Sequence, residues 1–268
     1  MAGTCLAVKS TALDLKILSV TFLSASLIQI GTNIANDYYD AIQGADTEER
    51  LGPERFTSTK KISKKIVKYS FILCFSFAFL FGLYLIVHGG LPILIIGVIS
   101  ILAGYFYTAT RYSLAYLGLG DIFVIVFFGP VAVCGTYYLQ TEQWSLSAFL
   151  IGLSIGFLAD LLLIINNIRD IDTDAAAGKN TIIVRFGCKF GKRLFLGMII
   201  LALVSMLILV YLTSNLIYLI PIMFLITYIP LIKQVFNNSG AKLNKVLGKS
   251  AMLLGLFGVV MSISILIS

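Results

Sequence analysis

Residues 91–107 read LPILIIGVISILAGYFY, an apolar run without a charged side chain. As an α-helix, a run of this length rises about 26 Å, close to the ~30 Å hydrocarbon core of a bilayer. Seven further apolar stretches occur in the 268-residue chain, of which 59% is hydrophobic and 12% charged. Soluble domains carry about 25% charged residues. The composition therefore excludes a soluble globular domain and predicts an all-α fold, a polytopic bundle of membrane-spanning helices.

Eight spans follow from the positions of these stretches. We place them at 15–36, 66–88, 91–108, 120–139, 146–168, 192–213, 215–233 and 247–267. An even number of spans leaves both termini on one side, and the long polar loops 37–65 and 169–191 lie on the opposite side. All Lys and Arg residues except Lys9 and Lys16 lie in or beside the loops of that side. By the positive-inside rule that face is cytoplasmic, and we expect the protein in the cell (inner) membrane.

The net charge of +7 is thus a signal of topology. It fits contact with anionic lipid or an anionic substrate better than contact with nucleic acid, for which no motif appears. The sequence indicates no protein partner.

Two acidic motifs lie where the first and fifth spans leave the membrane. The first reads TNIANDYYDAIQGAD at 32–46, and the second reads NNIRDIDTD at 166–174. Residues four apart in each motif share one helix face, so amides and carboxylates line the same side. Spans one and five run in the same direction, which puts both motifs on the cytoplasmic face. This arrangement indicates an internal duplication.

Two facing rows of carboxylates repel one another unless cations lie between them, and hard oxygen ligands suit Mg²⁺. Mg²⁺ commonly shares its coordination with phosphate, so a diphosphate is the expected third partner. Basic residues beside the motifs favour the same anion. They are Arg50, Arg55, Lys60, Lys61, Arg169, Lys179 and Arg185. The alternative is that the lysines belong to solvated loops that obey the positive-inside rule.

A diphosphate held above apolar helices suggests a prenyl diphosphate whose tail lies in the bilayer. Loss of diphosphate in a water-poor pocket would leave an allylic cation, which aromatic faces stabilise. Tyr38, Tyr39, Tyr105 and Tyr107 are candidates, although each is also typical of an interfacial aromatic belt. Asp160 is the one carboxylate well inside a predicted span. We expect it to face the cavity in its neutral form, either bonded to another helix or in contact with the aromatic acceptor.

The chain resembles the UbiA-type superfamily of intramembrane aromatic prenyltransferases. Within it, the resemblance is to the branch that prenylates 1,4-dihydroxy-2-naphthoate in menaquinone synthesis. The matching blocks are NIANDYYDAIQGAD at 33–46, LGPER at 51–55, GLGDIFVIVFFGPVAVCGTYYLQ at 118–140 and NNIRDIDTDAAAGKNTIIVRFG at 166–187. The GLGD block and the GKNT tail point to the naphthoate branch.

The resemblance implies a role for each matching residue. Asn36, Asp40, Asp46, Asp170 and Asp174 would hold Mg²⁺ or Mn²⁺. Lys179 and Arg185 would hold the diphosphate, and Arg111 would meet the leaving group or the acceptor carboxylate. Asp37, Asn166 and Asn167 would be their near neighbours. Apart from the resemblance, Arg55 beside the first motif and Tyr107 as an aromatic face are further candidate substrate contacts. The implied reaction transfers a polyprenyl chain to the naphthoate ring with loss of its carboxylate, giving demethylmenaquinone and diphosphate.

The family usually has nine spans, so residues 1–14 are interpreted as the remnant of a first helix and 15–268 as a single transmembrane prenyltransferase domain. Other acceptors, such as 4-hydroxybenzoate, homogentisate or a glyceryl phosphate, remain open. From another class, a cation-dependent membrane transporter is the alternative. Transport sites usually lie near the bilayer midplane, whereas these carboxylates lie at helix ends on one side.

Overall fold

The computed structural model describes residues 1–43, 62–107, 109 and 113–268, without the side chain of Gln43. Helices account for nearly all of these residues, and they contain no strand. The helices are α1 (Ala2–Val8), α2 (Leu15–Gln43), α3 (Lys64–Phe106), α4 (Leu114–Leu117), α5 (Gly120–Val126), α6 (Ala132–Thr141), α7 (Leu146–Arg169), α8 (Ile171–Ala176), α9 (Ile182–Phe186), α10 (Cys188–Thr213), α11 (Leu219–Phe224), α12 (Ile229–Asn237) and α13 (Leu243–Ile267). The all-α prediction is confirmed.

Seven stretches of helix in the described residues are long and apolar enough to cross a membrane. They are Leu15–Ile42, Lys64–Phe106, Gly120–Thr141, Leu146–Arg169, Cys188–Thr213, Leu216–Asn237 and Gly240–Ile267. Many large apolar side chains on these helices are exposed, as Val87 and Met223 illustrate. Exposed apolar surface on this scale is what a lipid-facing surface requires.

The count of seven differs from the eight predicted spans because α3 contains two of them. Gly90 has φ 61° and ψ −150°, a conformation open to glycine alone, and it interrupts the helix. The chain reverses there. A Cβ built at Gly104 would lie 3.6 Å from the Phe75 ring, whereas a straight helix would separate these residues by about 44 Å. The two arms correspond to the predicted spans 66–88 and 91–108.

Residues 32–43 of the first acidic motif lie on helix, as their spacing predicts, and this helix extends beyond the predicted end of span one at residue 36. Helix α2 continues to Gln43. Beyond residue 36 it is held by packing, since Tyr38 and Tyr39 lie against Phe71 of α3 with ring centroids 5.6 and 6.0 Å apart. The Tyr39 hydroxyl also donates a hydrogen bond of 2.9 Å to the Tyr105 hydroxyl. These contacts with α3 thus stabilise α2 in helical conformation through a polar stretch of its sequence.

Residues cluster into two compact units. One comprises 15–120 and 170–185, and the other comprises 1–14, 121–169 and 186–268. The core of the first unit is built from Ala35, Phe71 and Phe75, with Tyr105 packed against it. It contains helices α2 and α3 and the short helices α4, α8 and most of α9. We call it the α2–α3 unit.

The other unit, called here the α7 unit, is organised around α7, the most buried of the membrane-length helices. A π-helical turn at Phe127–Val131 joins α5 to α6, and it contains Gly129 and Pro130. Pro130 has no backbone N–H to donate, which accounts for the wider turn. A Cβ at Gly129 would lie 2.5 Å from the Gly152 carbonyl oxygen, so only glycine allows this approach of the two helices.

Candidate functional site

The last two turns of α2 present the first group of candidate site residues. Asn36 and Asp40 are four residues apart and therefore share a helix face. Asp40 is 1% exposed. The side-chain oxygen of Asn36 is buried and accepts no hydrogen bond from the part of the chain that the structure describes. This face therefore offers buried carboxylate and amide oxygens side by side.

The second motif begins in the last turn of α7, and its carboxylates at Asp170 and Asp174 belong to the N-cap and first turn of α8, which a turn follows. The Asp174 N–H donates to the Asp170 carbonyl oxygen at 2.8 Å, and the Lys179 N–H donates to the Asp174 carbonyl oxygen at 2.9 Å. Gly178 lies between them with φ 74°, a conformation that glycine adopts without strain. The turn after the alanine run therefore brings Lys179 back beside Asp174.

Lys179 joins the two motifs. Its Nζ lies 3.4 Å from Oδ1 of Asp40 and 3.7 Å from Oδ1 of Asp174. It also donates to Oδ2 of Asp40 at 3.5 Å, across 139 positions of sequence. On another side the ammonium lies 5.5 Å from the centroid of the Tyr116 ring, within range of a cation–π contact. One ammonium group thus stands between carboxylates from both motifs.

The loop that carries Lys179 is fixed to α4 through the backbone. The Asn180 N–H donates to the Tyr116 carbonyl oxygen at 3.0 Å, and Nη2 of Arg185 donates to the Leu117 carbonyl oxygen at 2.7 Å. Gly118 has φ 75°, and a Cβ there would lie 2.6 Å from the Asn180 carbonyl oxygen. Arg185 therefore holds α4 in position, while the rest of its exposed guanidinium remains available to an anion.

Burial raises the pKa of Asp174 to about 6. Lys179 lowers that pKa, whereas Asp170 and Asp40 raise it through like-charge repulsion. The effect of burial on this pKa therefore outweighs the stabilisation of the ionised carboxylate by Lys179. A further cation beside Asp174 would favour its ionised form.

The other predicted site residues are distributed as follows. Asp37 and Tyr107 are half-buried in the α2–α3 unit, at the ends of α2 and α3. Asn166, Asn167 and Asp160 belong to α7 in the other unit, where Asn167 is 8% exposed and Asp160 fully buried. Asp46, Arg55 and Arg111 lie outside the described residues.

Oxygen ligands from Asn36, Asp40, Asp170 and Asp174 form a hard donor set of the kind that Mg²⁺ prefers. The orphaned Asn36 oxygen fits a cation bound on this face of α2. Within the described ranges no three His, Cys, Asp or Glu side chains already stand close enough together to ligate a metal ion. A bound Mg²⁺ would accordingly take part of its coordination from a diphosphate and from water, as Mg²⁺ commonly does.

Sequence reasoning missed two residues that the structure makes prominent. No role was predicted for Tyr116, because its contact with Lys179 depends on how α4 packs against the distant loop that carries Lys179. Asp121 was noted only as part of the GLGD block, yet it is 4% exposed and its Oδ1 accepts no hydrogen bond from the described residues. A carboxylate opening an apolar span is the signal that could have identified Asp121.

Comparison with known proteins identifies the fold as that of the UbiA prenyltransferases. Residues 1–261 match the model of the UbiA prenyltransferase family. A UbiA homologue from Aeropyrum pernix superposes with a TM-score of 0.74 at 13% identity, covering 97% of this chain and 93% of that one. Another, from Archaeoglobus fulgidus and bound to DMAPP and Mg²⁺, gives 0.67 at 14% identity over 99% and 93%. At these identities the likeness concerns the fold alone.

Curated relatives are more similar in sequence. The 1,4-dihydroxy-2-naphthoate octaprenyltransferase of Haemophilus influenzae is 42% identical over 182 residues, 66% of this chain and 59% of that protein. The enzyme of the same name from Escherichia coli is 37% identical over 193 residues, 70% of this chain and 63% of that protein. The match thus spans about three fifths of the length of these relatives. With the family model covering nearly all of its length and its helices long enough to cross a bilayer, this integral membrane protein belongs to the UbiA prenyltransferase family.

Proposed function

We propose that this protein transfers a polyprenyl chain from polyprenyl diphosphate to 1,4-dihydroxy-2-naphthoate with loss of the ring carboxylate, giving demethylmenaquinone and diphosphate. The observation that carries the proposal is the meeting of Asp40 and Asp174, from two separate motifs, at the ammonium of Lys179. The names of the curated relatives supply the acceptor. The solved homologue bound to DMAPP and Mg²⁺ supports a prenyl diphosphate donor and a divalent metal.

The metal would be held by the oxygens of both motifs. The proposed ligands are Asn36, Asp40, Asp46, Asp170 and Asp174. Bound there, Mg²⁺ or Mn²⁺ would neutralise charge on the diphosphate leaving group. The buried position of Asp40 limits access of water, which strengthens electrostatic interactions at the site.

Basic side chains would hold the departing anion. Lys179 is already placed between the motifs, and the diphosphate would draw its ammonium away from Asp40. Arg185, fixed to the Leu117 carbonyl oxygen, directs the remainder of its guanidinium to the same anion. We propose Arg111 for the leaving group or the acceptor carboxylate. The further substrate contacts that we propose are Asp37, Arg55, Tyr107, Asp160, Asn166 and Asn167.

The bilayer would accommodate the polyprenyl tail, because the helices expose apolar side chains along their length. We place the protein in the inner cell membrane with the loops 37–65 and 169–191 on the cytoplasmic side. Single cysteines at Asn238 and Gln143, in a cysteine-free background, test this orientation. Asn238 should label only from the cytoplasm and Gln143 only from outside. Labelling of Gln143 from inside would overturn the orientation.

The function is tested with membranes that contain the protein, labelled polyprenyl diphosphate and Mg²⁺. The acceptors are 1,4-dihydroxy-2-naphthoate, 4-hydroxybenzoate and homogentisate, each supplied alone. We expect a labelled, decarboxylated product with the naphthoate only, and none after chelation of divalent metal. Preferential transfer to 4-hydroxybenzoate or homogentisate would replace the proposed acceptor. Absence of transfer to every acceptor would refute the proposed activity.

A further inference from the structure

Two buried carboxyl groups lie on packed helices inside the α7 unit, at sequence positions outside the two acidic motifs. Asp121 lies in the first turn of α5 and is 4% exposed, and Asp160 lies within α7 and is fully buried. The glycine contacts between the two helices put their carboxyl groups at neighbouring positions along the packed pair. Neither forms an ion pair with any described residue.

Helix register explains why they meet. Gly152 packs against Pro130, with a would-be Cβ 2.8 Å from the Pro130 Cα. One turn further along α7, a Cβ at Gly156 would collide with the Ile125 carbonyl oxygen. As the contact moves forward along α7 from Gly152 to Gly156, it moves backward on the facing segment from Pro130 to Ile125. The two segments are therefore antiparallel. The next turn places Asp160 opposite Asp121.

Three of the four oxygens of this pair receive no hydrogen bond from the residues that the structure describes. Both carboxylate oxygens of Asp160 and Oδ1 of Asp121 are buried and accept no hydrogen bond from the described part of the chain. Leaving such groups unsatisfied opposes folding, since each loses its bonds to water. A ligand that brings hydrogen-bond donors would compensate this loss.

Several features restrict what that ligand can be. A divalent cation would find only two carboxyl groups, because within the described ranges no third acidic, His or Cys side chain completes a metal cluster. The residues next to Asp160 in the sequence of α7 are apolar, as Ala159 and Leu161 are, which suits an apolar ring better than a charged ligand. A carboxyl pair that shares one proton presents both a donor and acceptors, the pattern that binds a phenolic hydroxyl.

We propose that the Asp121–Asp160 pair binds a ring hydroxyl of the dihydroxy-aromatic acceptor. This inference rests on the proposed function for the identity of the acceptor and assigns its recognition to two residues outside the acidic motifs. Asp121 stands in the first turn of its membrane-length helix, where an amphipathic aromatic acid arriving from the aqueous side would meet it first. Binding would supply hydrogen bonds to oxygens that receive none from the described residues.

The test compares Asp160→Leu, Asp160→Asn and Asp121→Asn in the full chain. Ser264→Ala is the control, because Ser264 is buried in the same unit with an unpartnered Oγ. The probes are 1,4-dihydroxy-2-naphthoate and its 4-methyl ether. Their dissociation constants are measured by calorimetry without the prenyl donor, KM is measured for both substrates, and Tm is measured without ligand.

Asp160→Leu should weaken binding of the dihydroxy compound about tenfold and abolish its preference over the methyl ether. It should leave KM for prenyl diphosphate unchanged and keep or raise Tm, since an unsatisfied polar group is removed. Asp160→Asn and Asp121→Asn, which retain a donor and an acceptor, should weaken binding only severalfold. Ser264→Ala should not affect binding.

Unchanged dihydroxy affinity and methyl-ether discrimination in both Asp160 variants would overturn the inference. A fall in Tm for both Asp160 variants with normal binding would assign the pair a structural role instead. Absence of prenyl transfer in the wild-type protein, together with Asp160-dependent binding of the dihydroxy compound, would refute the proposed function and leave this inference standing.

Discussion

The two units of the protein hold buried carboxylates under opposite conditions. In the α2–α3 unit, Asp40 and Asp174 share the ammonium of Lys179, which also lies over the Tyr116 ring. In the α7 unit, Asp121 and Asp160 lie at neighbouring positions of two packed helices, and no described residue forms an ion pair with either. The carboxylates of the α2–α3 unit are therefore suited to binding cations, whereas those of the α7 unit are suited to forming hydrogen bonds.

The difference follows from what surrounds each pair. Lys179 follows a short helix outside the membrane-length segments, where its partly exposed ammonium can be exchanged for another cation. Asp121 and Asp160 lie on helices packed so closely that glycine is required between them. Charged ligands suit the first environment and neutral donors suit the second, because a charge without a partner is costly in apolar surroundings.

The largest expected effect is the loss of prenyl transfer on replacement of Asp40 or Asp174, the carboxylates that contact Lys179. Asp40→Ala or Asp174→Ala should reduce prenyl transfer by at least about 10²-fold. Each change removes a ligand of the proposed metal, which stabilises the negative charge that develops on the leaving diphosphate in the transition state. Steady-state rates at saturating Mg²⁺ measure the effect. Asp172→Ala is the matched control, since Asp172 lies in the same short helix and is exposed. Near-normal turnover by Asp174→Ala would refute the two-motif metal site.

A smaller effect is expected for Lys179→Met, which should weaken the use of prenyl diphosphate but strengthen the binding of Mn²⁺. Loss of the ammonium should raise KM for prenyl diphosphate about tenfold with every acceptor. It should also strengthen Mn²⁺ binding in the absence of diphosphate, because the two carboxylates lose their internal cation. Electron paramagnetic resonance of Mn²⁺ measures the second quantity.

Lys189→Met, which removes an exposed charge from α10, is the control for Lys179 and should change neither quantity. If Lys179→Met altered only the KM of the acceptor, the assignment of Lys179 to the diphosphate would be wrong. Weaker Mn²⁺ binding would show that the ammonium does not compete with the metal.

The smallest effect is expected in the packing that aligns Asp121 with Asp160. Gly156→Ala places a methyl group against the Ile125 carbonyl oxygen and should cost about 1–3 kcal/mol of unfolding free energy. Tm of the purified protein reports the loss. Gly197→Ala is the control, because a Cβ at Gly197 meets no atom within 4 Å. Equal Tm values for the two variants would show that the close approach is not required.

The sequence by itself predicted those features that depend on local chemistry. Apolar runs of membrane length predicted the helices, because only a helix satisfies its own backbone in lipid. The spacing of four between Asn36 and Asp40 predicted a shared face, which α2 confirms. The motif blocks indicated the UbiA family, which the family model confirms.

Other features depended on contacts between residues far apart in sequence. The reversal at Gly90, the continuation of α2 to Gln43 and the Tyr116 contact are all products of packing. Lys179 was predicted to meet a diphosphate, but its position between Asp40 and Asp174 depends on two segments 139 positions apart meeting. The opposition of Asp121 and Asp160 needs the register of two helices, which glycine contacts fix. Local patterns determine which helices form, whereas only tertiary packing decides which side chains those helices bring together.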